Sequence, residues 1–217
     1  MKDRLVAWSL LVGFVSALAW AGNLAGQKPA KNVVYTYSTA VSELVLFAVI
    51  LAAVLWIARG LPKREAFALQ APRSLGQAIR LGLGVFVVIW LVSYTLDPLL
   101  HPGREQGLTP TSWQPAHAAA FGVNVFALAV VGPIVEELTF RGLGFTLLER
   151  YGQTVAILAI GLAFGIWHGL IDALPVLIVF GTGLAYLRSR TRSVYPGIVL
   201  HALFNGLALL IAVTIQR

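Results

Sequence analysis

The sequence predicts an all-α fold, a polytopic bundle of about seven transmembrane helices, with six to eight compatible with the pattern, around a central polar cavity. Two observations predict it. Hydrophobic residues make up 58% of the 217 and charged residues only 12%, with a mean hydropathy of +0.81, whereas a soluble domain carries roughly 25% charged residues. The apolar residues are also gathered into runs near the roughly 20 residues that cross a bilayer. The chain contains no cysteine, which excludes disulfides, thiolate zinc sites and cysteine nucleophiles. It is expected to be a single integral membrane domain over residues 1–217.

The segments follow in order. Leu5 to Gly22 is preceded by Lys2 and Arg4 and ends in "ALAWAG", the small residues of a secretory cleavage site. Its apolar run is long for a signal peptide, so an uncleaved first helix is expected. Ala40 to Ala58 and Ile79 to Leu100 are ordinary spans. Between them, "RGLPKREAFALQAPRSLGQAIR" mixes basic and apolar residues and reads as either an interfacial helix on anionic lipid or a solvated loop. His117 to Leu148 is too long for one straight span and holds Gly132-Pro133 in its middle. It reads as a kinked helix or as two helices broken just before the glutamates. Val155 to Gly169 and Pro175 to Leu187 are short, as helices buried by neighbours can be. Val194 to Ile215 closes the set.

The net charge of +7 does not point to nucleic acid, because the Lys and Arg residues lie between apolar segments rather than on one basic face. With a cytoplasmic amino terminus, eleven fall inside, namely Lys2, Arg4, Arg59, Lys63, Arg64, Arg73, Arg80, Arg150, Arg188, Arg190 and Arg192, and four outside, Lys28, Lys31, Arg104 and Arg217. That asymmetry fits the positive-inside rule for seven spans.

Inside the fourth segment, "VEELTFR" puts two carboxylates and a guanidinium into apolar surroundings. At helical geometry Glu137 and Arg141 share a face and form an ion pair, while Glu136 points about 140° away from Arg141. Glu136 therefore needs a cavity or a polar partner from another helix. Candidates lie downstream: "GLAFGIWHGL" puts Phe164 and His168 four apart, and "IVLHALFNGLALL" does the same for His201 and Asn205. Singly, each histidine reads as a helix-bonding polar residue. Together with Glu136 they form a Glu, His, His, Asn set from three segments. Counted back to the presumed cytoplasmic helix ends, Glu136 and His168 lie at about 21 and 22 Å but His201 at about 12 Å, a mismatch that uneven ends must absorb. Gly161, Gly165 and Gly169 recur every four positions and suit close helix packing.

At these residues the chain resembles the CPBP family of CAAX proteases and bacteriocin-processing enzymes, also called Abi proteins. "EELTFR", "FGIWH" and "HALFN" match its Glu-Glu-x-x-x-Arg, Phe-x-x-x-His and His-x-x-x-Asn motifs, in the family's order. The resemblance covers roughly Phe121 to Leu210, within a protease core of about 117–215. The helices of residues 5–100 carry no matching motif. The resemblance implies an intramembrane endopeptidase in which Glu136 activates water and His168 shares that water and passes its proton on. His201 and Asn205 would donate to the oxyanion, Glu137 and Arg141 would hold the catalytic helix, and Phe164 would pack. No cofactor is expected. The alternative is Zn2+ at Glu136, His168 and His201, since the family has carried the label of metalloprotease. The implied partners are the lipid bilayer and a membrane-associated peptide or lipidated protein, prenylated in a CAAX-type case. The implied setting is a prokaryotic plasma membrane. Two other classes compete. A proton-coupled transporter would also bury Glu, His and Arg, but with inverted repeats and paired broken helices. A non-catalytic immunity or scaffold protein would have no use for the whole set.

Overall fold

A backbone crossing hydrocarbon finds no water to bond, so each apolar run must satisfy its own ladder as a helix. The computed structural model describes residues 1–26, 32–100 and 112–214, and among them there is no strand. The long helices are α1 (Lys2–Leu24), α2 (Tyr37–Ile57), α3 (Leu75–Leu100), α4 (Pro115–Tyr151), α5 (Gln153–Trp167), α6 (Leu174–Thr191) and α7 (Tyr195–Thr214). They reproduce the seven expected segments, shifted by about four residues or fewer at their ends. Five of them, α1 to α4 and α7, are long and apolar enough to cross a membrane, and α5 is a shorter apolar helix.

Of the two readings at Gly132-Pro133, the break into two helices is absent. α4 runs on as one helix of 37 residues, and the proline is absorbed by a change of winding. Residues Ala127–Val131 are π-helical, and the Gly132 N–H bonds to the carbonyl of Ala127, five residues back. A wider turn relieves the clash between a proline ring and the preceding carbonyls. Within that i→i+5 pattern the donor owed to the Leu128 carbonyl is residue 133, a proline without an N–H. Asn205 of α7 supplies it, its Nδ2 donating to the Leu128 oxygen at 3.0 Å. A second π-helical stretch, Leu138–Gly144, is tied to its neighbours in the same manner. Trp8 Nε1 of α1 donates to the Thr139 carbonyl at 2.9 Å and Arg188 Nε of α6 to the Arg141 carbonyl at 3.1 Å.

α5 and α6 form the most extensive pairing, and the small residues explain it. A Cβ on Gly161 would come within 2.9 Å of the Thr182 backbone, so only glycine lets the two axes approach this closely. Gly169 also packs closely, as expected, but against α1 rather than α6, and it does a second job. It has φ +64°, ending α5 in the left-handed region, and it lies against the Ala19 backbone of α1.

The connections gather at one end. Arg4 donates to the Arg59 carbonyl at 2.9 Å, the Val194 N–H to the Ala68 carbonyl at 3.1 Å, and Arg192 pairs with Glu149 at 2.6 Å. The basic stretch after α2 keeps Arg59, Lys63, Arg64, Arg73 and Arg80 exposed. It makes a single helical turn, Lys63–Ala66, and then inserts Phe67, 2% exposed, against Gly142. Lys28, Lys31, Arg104, Arg217 and the end of the last expected segment at Ile215 lie outside the described residues.

Candidate active site

Glu136 and Glu137 occupy the short α-helical piece, Gly132–Glu137, between the two π-helical stretches of α4. Consecutive positions on a helix point different ways, and the two carboxylates have different surroundings. Glu137 is fully buried and accepts from Arg141 at 2.9 Å, the expected ion pair one turn on. Arg141 is equally buried; its second nitrogen donates to the Gly181 carbonyl at 3.1 Å, and its guanidinium carbon lies 4.3 Å from the Phe164 ring centroid. A buried charge is tolerated only when paired in this way.

Glu137 has a second partner that sequence reasoning missed. Its Oε1 lies 3.0 Å from His201 Nδ1. A carboxylate only accepts, so Nδ1 carries the proton and His201 turns Nε2 towards Glu136 Oε2, at 3.7 Å. His168, the residue capping the end of α5, is oriented by the same logic. Its Nδ1 donates to the Phe164 carbonyl at 2.8 Å, which leaves Nε2 facing Glu136 Oε2 at 4.0 Å. Two imidazoles from different helices thus present the same nitrogen to one carboxylate. The depth mismatch between His201 and the other two residues is absorbed by uneven helix ends, α4 being 37 residues long and α5 only 15.

Asn205 lies one turn beyond His201 and lines the same cavity. Its amide nitrogen carries two hydrogens; the bond to Leu128 uses one. Phe164 packs as expected, edge to face with His168 at 4.8 Å and with Phe140 at 5.4 Å. Phe180 closes the floor beneath His201 at 4.8 Å.

The cavity in front of these groups has a volume of about 590 Å³ and is walled by α1, α2, α4, α5, α6 and α7. That is the size of a small-ligand or peptide cleft. Glu136 and the two histidines are the right donor types for zinc. However, among the described residues no group of three His, Cys, Asp or Glu side chains is disposed to hold a metal ion, so no chemical step is routed through one.

The motif-free helices contribute more than the sequence reading found. Trp20 Nε1 of α1 donates to the Ile166 carbonyl at 2.8 Å, and Asn23 Nδ2 to the Gly169 carbonyl at 2.8 Å. These carbonyls belong to the end of α5, where Ile166 also accepts from the Gly169 N–H at 3.2 Å and side chains complete the remaining acceptors. α1 therefore caps the helix that delivers His168. α2 adds Glu43, a carboxylate lining the cavity. Its signal in the sequence was simple: it is the one charged residue within Ala40 to Ala58, and such residues are functional candidates by default.

Residues 118–207, the stretch from the start of α4's first turns to α7 that holds all six expected site residues, match the family model described as type II CAAX prenyl endopeptidase Rce1-like. Neither the curated proteins nor the solved structures gave a match.

Proposed function

We propose, from the match of residues 118–207 to the Rce1-like family model and from the site geometry, that the chain is a CAAX-type, glutamate-dependent intramembrane endopeptidase acting on a membrane-associated peptide. One observation carries the reading: His168 Nε2 and His201 Nε2 face the Glu136 carboxylate at 4.0 and 3.7 Å, inside a cavity walled by apolar helices.

In this mechanism Glu136 takes a proton from water, and the hydroxide attacks the peptide carbonyl carbon. Such general-base assistance contributes about 10² to 10⁴ in rate. The gaps of 3.7 to 4.0 Å exceed a direct hydrogen bond and suit groups that meet through a reacting water. His168, held by the Phe164 carbonyl, carries the proton on to the leaving amine. His201 donates to the oxyanion from Nε2. Because its Nδ1–H is engaged by Glu137, it does so as the imidazolium, a charge that the two carboxylates balance. The second N–H of Asn205 is the other donor. Glu137 is then a positioning residue for His201 as well as the partner of Arg141. The domain is read as one membrane unit in which α4 to α7 carry the chemistry. The basic residues collected at one end of the bundle support a cytoplasmic amino terminus, and the membrane is read as a prokaryotic plasma membrane.

The test is cleavage of a quenched fluorescent farnesylated CAAX peptide by purified protein in detergent, with and without chelator, for wild type and Glu136→Ala. Activity that survives chelation and vanishes in the variant supports the proposal. Chelator-sensitive activity would replace it with a zinc-dependent protease, and undiminished cleavage by Glu136→Ala would sink the glutamate mechanism.

A further inference from the structure

Glu43 sits in the second turn of α2, six residues and about 9 Å from the helix start. Its side chain is half-buried and lines the cavity beside Phe47 and Ile50, with Glu136 in the same cavity. Carboxylates that share one apolar cavity repel each other. Among the described residues Glu43 joins none of the ion pairs. Among the described residues the cavity lining contains these two carboxylates and no Lys or Arg. An intramembrane carboxylate without a protein partner is costly and marks a binding position. A cation entering on the Glu43 side of the cavity would pair with Glu43 and relieve its repulsion from Glu136.

Building on the protease reading above, we infer that Glu43 is a specificity residue that holds a basic side chain of the substrate near the bond attacked at Glu136. The preferred substrate is then an apolar membrane peptide with Lys or Arg close to the scissile bond.

The experiment uses one labelled apolar peptide carrying Lys, Gln or Glu at successive positions. Cleavage is followed with the wild type, and binding by fluorescence anisotropy with the full-length Glu136→Gln protein, each with and without Glu43→Gln. At one position Lys should be favoured over Gln by about tenfold and over Glu by more, and Glu43→Gln should bring the three within about twofold of one another. Glu43→Lys should invert the order. Melting temperatures in detergent check folding, and Glu43→Gln should not lower them, because it removes a charge that has no partner. A Lys-to-Glu ratio unchanged by Glu43→Gln, in binding and in cleavage, overturns the inference. The two readings fail separately. Glu43-dependent binding of the Lys peptide without cleavage removes the protease and keeps the cation subsite, while Glu136-dependent cleavage indifferent to charge does the reverse.

Discussion

Helices α1 and α3 bury 17% of their apolar window inside the bundle, whereas α4 buries 44%. Lipid can solvate the outer faces of α1 and α3, so hydrophobicity alone specifies them and many apolar sequences would serve. The inside of the bundle has to satisfy charges, freed carbonyls and close helix contacts at once. Motifs concentrate there because only particular residues meet those demands together. The division is not complete, since α1 reaches inwards with Trp8, Trp20 and Asn23, and α2 with Glu43.

The sharpest way to break this comparison is at Glu136. Replacement by Gln should lower peptide cleavage by about 10³ while leaving the melting temperature near the wild-type value, because the two histidines facing it lie beyond direct hydrogen-bond distance and each keeps its own Nδ1 partner. Arg141→Ala should act the other way round. It strands a fully buried Glu137 and His201, and about 3–5 kcal/mol of stability should be lost, visible as a collapsed thermal transition in detergent. Asn205→Ala should cost about 1–3 kcal/mol by leaving the Leu128 carbonyl unpaired. Pro133→Ala restores a backbone donor, so the double variant should lose less than the two single losses combined; simple additivity in that cycle would show that the proline and the asparagine are independent. Asn23→Ala removes one capping bond from α5 and should cost about 0.5–1.5 kcal/mol, with a fall in cleavage if α1 positions His168. At the bottom of the scale, Leu10→Ala, on a lipid-facing position 68% exposed, should shift stability by less than about 0.5 kcal/mol. A large effect there would mean that α1 is held by more than its inner face.

The seven helices were legible because a bilayer permits so few backbone solutions. The Glu136, His168, His201 and Asn205 set was legible because polar groups stand out in apolar runs. What escaped was what depends on neighbouring helices. A helical wheel pairs Glu137 with Arg141 but says nothing of His201, sixty-four residues on. Pro133 suggested a break because in water a broken ladder is repaired by solvent. In the membrane the ladder is rewound instead, and a distant asparagine completes it. Glu43 was overlooked because α2 carries no motif to draw attention to it, although its charge was as visible as that of Glu136.

The bond from Asn205 to Leu128 also orders events during biosynthesis. α4 enters the bilayer while α7 is still unmade, so it waits with an open carbonyl and with Glu137 lacking one of its two partners. Helix α7 closes both gaps at once. A nascent chain therefore holds no finished site until α7 has been made. Pulse-chase turnover of a chain ending at Arg192 should be markedly faster than that of the full-length protein, and equal lifetimes would remove this account.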